Sequence, residues 1–129
     1  MSHAKLRVCL IEDDPLVRDA AAFALEDRGY RVVVAEDGAR GMAEIERQLP
    51  DVVVTDVVMP GHDALEFLPL LRARFPHLPV VVVSGGGQTG AGLYLDIARK
   101  LGADECLPKP FTPEALSAAI ERAFRRNAE

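Results

Sequence analysis

Val52-Val53-Val54-Thr55-Asp56-Val57-Val58-Met59-Pro60-Gly61 is the stretch on which the fold turns. Five of its first seven residues are valine, the composition of a strand buried on both faces in an α/β protein. An aspartate interrupts the apolar run, and Met-Pro-Gly then signals a loop. A strand that ends by presenting one carboxylate at its tip is placed for chemistry, because ligands of open α/β sheets bind at the carboxyl ends of the strands. Asp56 is therefore a candidate nucleophile for a phosphoryl group. The plainer alternative is an aspartate that satisfies loop backbone N–H groups.

Upstream, Leu6–Ile11 reads as a first strand. It ends in Glu12-Asp13-Asp14-Pro15, with Pro15 at the favoured first position of a helix. Leu16, Val17, Ala20, Ala21, Ala24 and Leu25 recur at helical spacing, and Gly29 supplies the stop. Tyr30–Ala35 is a second strand. Asp37 can cap a second helix whose inner face would be Ala39, Met42, Ala43, Ile45 and Leu49.

Downstream, Ala64, Phe67, Leu68, Leu71 and Phe75 form a helical stripe, but Pro69 lies inside it. A proline there costs about 3 kcal/mol, so the pattern predicts a kink, or a short turn with a new helix from Pro69. Val80–Val83 is a fourth strand, ended by Ser84. The segment Gly85–Gly92 holds half of the chain's glycines but lacks the Gly-Lys-Ser/Thr ending of a P-loop, and reads as a mobile loop. A fourth helical segment places Tyr94, Ile97, Ala98 and Leu101 inward and stops at Gly102. Glu105-Cys106-Leu107 is a short fifth strand, followed by Lys109-Pro110-Phe111. Thr112-Pro113 opens a fifth helix that buries Leu116, Ala119, Ile120 and Ala123. Strands this apolar, each followed by a helix, predict a five-stranded parallel sheet with five helices on its two faces.

Bulk properties narrow the function. The 129 residues suit one domain, at 49% apolar and 27% charged. A net charge of −5 argues against direct nucleic acid binding. No apolar run reaches a membrane span, and Met1–Lys5 leads straight into a strand with no secretory core. Cys9 and Cys106 read as two buried free thiols, which suggests a reducing, cytoplasmic setting.

The C-terminal ends of parallel strands share one edge. There the sequence offers Glu12, Asp13 and Asp14 after strand one, Asp56 on strand three, Ser84 on strand four and Lys109 after strand five. Asp14 suits the positive end of a helix dipole. Carboxylates in close company repel, by roughly 4 kcal/mol per pair at about 4 Å in an effective dielectric of about 20. A divalent cation such as Mg²⁺, which prefers oxygen ligands, removes that strain. Phosphoryl transfer to an aspartate needs positioning and charge neutralisation, which a cation, an ammonium and a hydroxyl supply.

Ile11-Glu12-Asp13-Asp14-Pro15, Asp56-Val57-Val58-Met59-Pro60-Gly61, Ser84-Gly85 and Lys109-Pro110-Phe111 together resemble the receiver domain of bacterial two-component response regulators. The likeness spans residues 1–129 as a single receiver domain. It implies a flavodoxin-like sheet of order 2-1-3-4-5. It implies that Asp56 takes a phosphoryl group from a histidine kinase, a phosphotransfer protein or a small phosphodonor. It further implies Mg²⁺ held by Asp13, Asp56 and the Val58 carbonyl, with Glu12 acting mainly through water. Ser84, Gly85 and Lys109 would bind the phosphoryl oxygens. Ser84 and the position of Cys106 would form a switch acting on the fourth helical segment, strand five and the fifth helix, a surface that could also form a homodimer. The chemistry would be limited to self-phosphorylation and slow self-dephosphorylation.

Two positions depart from the pattern. Cys106 stands where the family carries a swinging aromatic, and a thiol is too small to gate a pocket in the same way. Ala64 replaces the usual glycine after Met-Pro-x-x-Asp. Only Asn127-Ala128-Glu129 follow the last helix, which fits either a stand-alone receiver acting on a downstream protein or a piece of a regulator with a fused output domain. A dehalogenase-type phosphatase expects a second aspartate at Val58. A flavin binder expects a hydroxyl-rich loop where Glu12–Asp14 stand.

Overall fold

The computed structural model describes residues 6–56, 64–84, 96 and 98–128. Its elements are β1 (Arg7–Ile11), α1 (Pro15–Asp27), β2 (Arg31–Ala35), α2 (Gly38–Arg47), β3 (Val52–Asp56), α3 (Ala64–Arg74), β4 (Val80–Ser84), β5 (Glu105–Pro108) and α4 (Pro113–Ala128). The last of these is the fifth helical segment of the sequence. Between β4 and β5, residues 96 and 98–100 are helical, with Ala98 buried and Leu101 packed on the core. The expected inward Tyr94 and Ile97, and the glycine-rich loop, lie outside the described residues.

All strands are parallel, in the order β2-β1-β3-β4-β5. Strand alternation sorts the core into two layers. Cys9, Ile11, Val53, Val80 and Val82 face Ile45 of α2 and Phe67, Leu68 and Leu71 of α3. Val8, Leu10, Val52, Val54, Val81 and Val83 face Leu25 of α1 and Leu116, Ala119, Ile120 and Ala123 of α4. Burying a side chain such as Leu116 or Ile120 in this way contributes about 1.5–3 kcal/mol. β3 and β4 are buried at every position.

Local signals set the helix starts. The Asp14 carboxylate accepts from the Leu16 and Val17 N–H groups, with Pro15 in the first turn, and Asp37 accepts from Arg40 N–H. Thr112 Oγ1 accepts from Ala115 N–H at 3.0 Å. At the opposite edge of the sheet, Asp51 clamps Arg7: its carboxylate accepts from Arg7 N–H at 2.7 Å, and its own N–H donates to the Arg7 carbonyl at 2.8 Å. Arg72 of α3 donates to the Gly102 carbonyl and to Asp104 Oδ2 at 2.7 Å each, and that carboxylate oxygen also accepts from Val80 N–H.

Several expected faces are corrected. Leu16 is 81% exposed and Ala20 is exposed. At about 100° per residue, Leu16 lies about 180° around α1 from the buried Leu25. In α2 the inner positions belong to Gly38, Gly41 and Ile45, while Ala39, Ala43 and Leu49 are exposed. A methyl on Gly41 would meet Ile11 Cδ1 at 2.3 Å, so the missing side chain is what lets α2 approach β1. α3 runs unbroken through Pro69 rather than restarting there. Pro69 is exposed, so its ring projects towards solvent while Phe67, Leu68 and Leu71 stay buried. Cys9 is buried, but Cys106 is only half-buried. Neither is in a disulfide, as the sequence suggested.

Candidate functional site

The carboxyl edge of the sheet gathers the charged residues. Asp56 ends β3, and its register partner is Val83. Ser84 is the next residue on β4, fully buried and paired with Pro108 of β5. That pairing leaves Lys109 just past the strand, where its N–H donates to the Ser84 carbonyl at 2.7 Å. The Lys109 side chain crosses the tips of β4 and β3: Nζ donates to Asp56 Oδ2 at 2.7 Å and to Glu12 Oε1 at 3.0 Å.

Glu12 and Asp56 are buried, at 3% and 6% exposure. Two buried carboxylates are costly unless paired, and Lys109 pairs both. Burial raises the Glu12 pKa above the usual carboxylate range, against the lowering effect of the Lys109 and Asp14 hydrogen bonds. Burial acts on Lys109 in the downward direction, but its hydrogen bonds to Asp56 and Glu12 and their negative charges outweigh it, so the ammonium is held above its ordinary value.

Asp13 joins this pair from the turn before α1. One carboxylate oxygen each from Glu12, Asp13 and Asp56 lies within 4.8 Å of the others, with Asp13 the most solvent-open of the three. The donor set is all oxygen and anionic, which suits a hard divalent cation such as Mg²⁺ rather than zinc or copper. Val58 and Gly85 lie outside the described residues.

Glu12, Asp13, Asp56 and Lys109 are thus brought into one cluster, with Ser84 beside it on the neighbouring strand. Asp14 is set apart as a cap. Cys106 of β5 pairs with Val82 of β4 and packs against the layer that holds α2 and α3. Burial raises its thiol pKa. Arg18 escaped the motif-based reading: its Nη1 donates to the Glu12 carbonyl at 3.1 Å. The signal was available, because helical side chains lean towards the N-terminus and Arg18 lies one turn inside the Asp14 cap.

The chain matches the response regulator receiver domain over residues 8–121. It is 36% identical over 124 residues to the response regulator MprA of Mycobacterium leprae, covering 94% of this chain and 52% of that protein. It is 33% identical to the phosphate regulon transcriptional regulatory protein PhoB of Klebsiella pneumoniae, covering 93% of this chain and 52% of that one. The chain therefore spans about half the length of these curated relatives. A response regulator receiver domain protein from Clostridium thermocellum superposes with a TM-score of 0.87 at 30% identity, over 95% of this chain and 97% of that one.

Proposed function

This chain belongs to the response regulator receiver domain family of two-component systems, and from that premise we propose that Asp56 is its phosphoryl acceptor. The observation that carries the proposal is the Lys109 ammonium shared between Asp56 and Glu12, beside three clustered carboxylates.

An Asp56 carboxylate oxygen attacks the phosphorus of a phosphohistidine on a sensor histidine kinase or phosphotransfer protein. The O–P bond forms as the P–N bond breaks, and the departing imidazole nitrogen keeps the electron pair and takes a proton from solvent. Asp13, Asp56 and the Val58 carbonyl would hold Mg²⁺, with Glu12 reaching it through water. The chemistry supplied there is neutralisation of charge on the transferred oxygens. Lys109 neutralises another oxygen, and Ser84 with the Gly85 N–H takes a third.

The new charge biases a two-state equilibrium through Ser84, with Cys106 in the place of the switching aromatic. The responding surface is the fourth helical segment, β5 and α4. It contacts a downstream protein, a fused output domain or a second copy, with no direct nucleic acid contact. Residues 1–129 act as one receiver domain in the cytoplasm, with no chemistry beyond gaining and losing the phosphoryl group. No helix among the described residues is long and apolar enough to cross a membrane.

Incubation with acetyl phosphate and Mg²⁺, followed by intact mass, tests the acceptor. The expected result is a gain of one phosphoryl group that Asp56→Asn abolishes. A label that persists in Asp56→Asn overturns the assignment.

A further inference from the structure

A closed hydrogen-bond circuit surrounds Glu12. Asp14 N–H donates to Glu12 Oε2 at 3.2 Å, Arg18 N–H donates to the Asp14 carbonyl at 2.8 Å, and Arg18 Nη1 returns to the Glu12 carbonyl at 3.1 Å. Glu12 N–H donates to the Ala35 carbonyl of β2 at 3.0 Å. With Lys109 on Oε1, the main chain and carboxylate of Glu12 are held on every side.

The carbonyl that Arg18 grips belongs to the peptide leading into Asp13. A peptide is planar, so fixing that carbonyl fixes the direction from which the Asp13 chain departs. An arginine this close to a helix N-terminus is also electrostatically misplaced, since the macrodipole there favours anions. The hydrogen bond to the Glu12 carbonyl offsets part of that penalty.

We infer that Arg18 is a positioning residue whose guanidinium locks the Glu12–Asp13 peptide, so that Asp13 and Asp56 present their carboxylates to one divalent cation. The inference rests on the cation site proposed above. It carries a sign of its own. Were Arg18 only a nearby positive charge, its removal would strengthen cation binding. As a positioning group, its removal weakens binding, by about tenfold, the low end for residues that orient ligands from behind.

Calorimetric Mg²⁺ titration of the whole chain decides between these, with Arg18→Met to keep the aliphatic stem and Arg18→Lys to keep a cationic donor. The expected result is weaker Mg²⁺ binding in Arg18→Met at an unchanged metal-free melting temperature, largely rescued in Arg18→Lys. Equal or tighter binding in Arg18→Met overturns the proposal. A wild-type chain that fails to bind Mg²⁺ overturns instead the cation site itself. A measurement on the unaltered protein guards against a folding defect in the variant: the Arg18 guanidinium N–H resonance should exchange slowly and shift as Mg²⁺ is added. Fast exchange with no response to Mg²⁺ counts against the lock.

Discussion

The Lys109 ammonium lies 2.7 Å from Asp56 Oδ2, so a residue beyond β5 neutralises the carboxylate at the tip of β3. Lys109→Met should therefore destabilise the cation-free protein by roughly 3 kcal/mol, because Glu12 and Asp56 are left buried and facing each other. Burial has already raised the Glu12 pKa, so acidification protonates Glu12 and relieves the repulsion. The penalty should shrink from neutral pH towards the carboxylate range, and Mg²⁺ should recover part of it. Urea midpoints across pH, with and without Mg²⁺, check this.

Tyr30 provides an alkaline counterpart. Its hydroxyl pairs with Ser117 Oγ at 2.8 Å and donates to Glu121 Oε2 at 3.1 Å. Burial first, then the Glu121 charge, pushes it from 10.0 up to about 12. Between those values the unfolded chain has lost a proton that the folded chain keeps, so stability falls as pH rises. The full loss is roughly 3 kcal/mol. Lys109 adds to it, since its raised pKa stabilises the fold below the ordinary lysine value and that gain disappears as the ammonium titrates. Tyr30→Phe should lose about 1 kcal/mol near neutrality and flatten the decline between about pH 10 and about pH 12. An equally steep decline in the variant would rule Tyr30 out as its source.

Gly41 and Ile11 should be energetically coupled. Gly41→Ala gains up to about 1 kcal/mol in helix propensity but drives a methyl into Ile11, for which overpacking costs typically about 1–3 kcal/mol. The net expectation is destabilisation by about 1 kcal/mol. Ile11→Val removes the nearer Cδ1 atom but leaves Cγ1 at 2.8 Å from the added methyl, so Gly41→Ala should cost less in that background without becoming stabilising. A double-mutant cycle on denaturant midpoints gives the coupling, and strict additivity would count against the close approach.

Cys106 bears on the proposed switch. A thiol on β5 fills less space than an aromatic ring, so beryllofluoride should shift backbone amide resonances at Ser84 more than those of residues 98–106. Cys106→Tyr should bring the second set closer to the first. Large, matched shifts at both places in the unaltered chain would show that the thiol transmits as well as a ring.

Much of this architecture was legible in the residues themselves. The stripe of α4, the caps at Asp37 and Thr112, and the valine strands each rest on a local pattern that tertiary contacts reinforce. The faces of α1 and α2 were misread for one reason: apolar residues were counted as inward and glycines as absent. Gly41 is buried because it lacks a side chain, and Leu16 is apolar yet 81% exposed. At the site, residue types and strand ends forecast the gathering of Glu12, Asp13, Asp56 and Lys109. The direct Glu12–Lys109 pair was not foreseen, because a contact between residues so far apart in the chain leaves no periodicity to find. Pro69 shows a propensity rule yielding to the burial of Phe67, Leu68 and Leu71.

The centre of β3 carries no ruler. Val53 and Val54 lie beside Val80 and Val81, so a slide by one rung would trade valine for valine on faces that are buried either way. What distinguishes the native alignment sits at the strand's two ends: Asp51 hooked to Arg7, and Asp56 beneath Lys109. The proposed phosphoryl acceptor is thus also one of two alignment marks for its own strand, and a reaction that altered its charge would tug on the seam that holds the middle of the sheet in step.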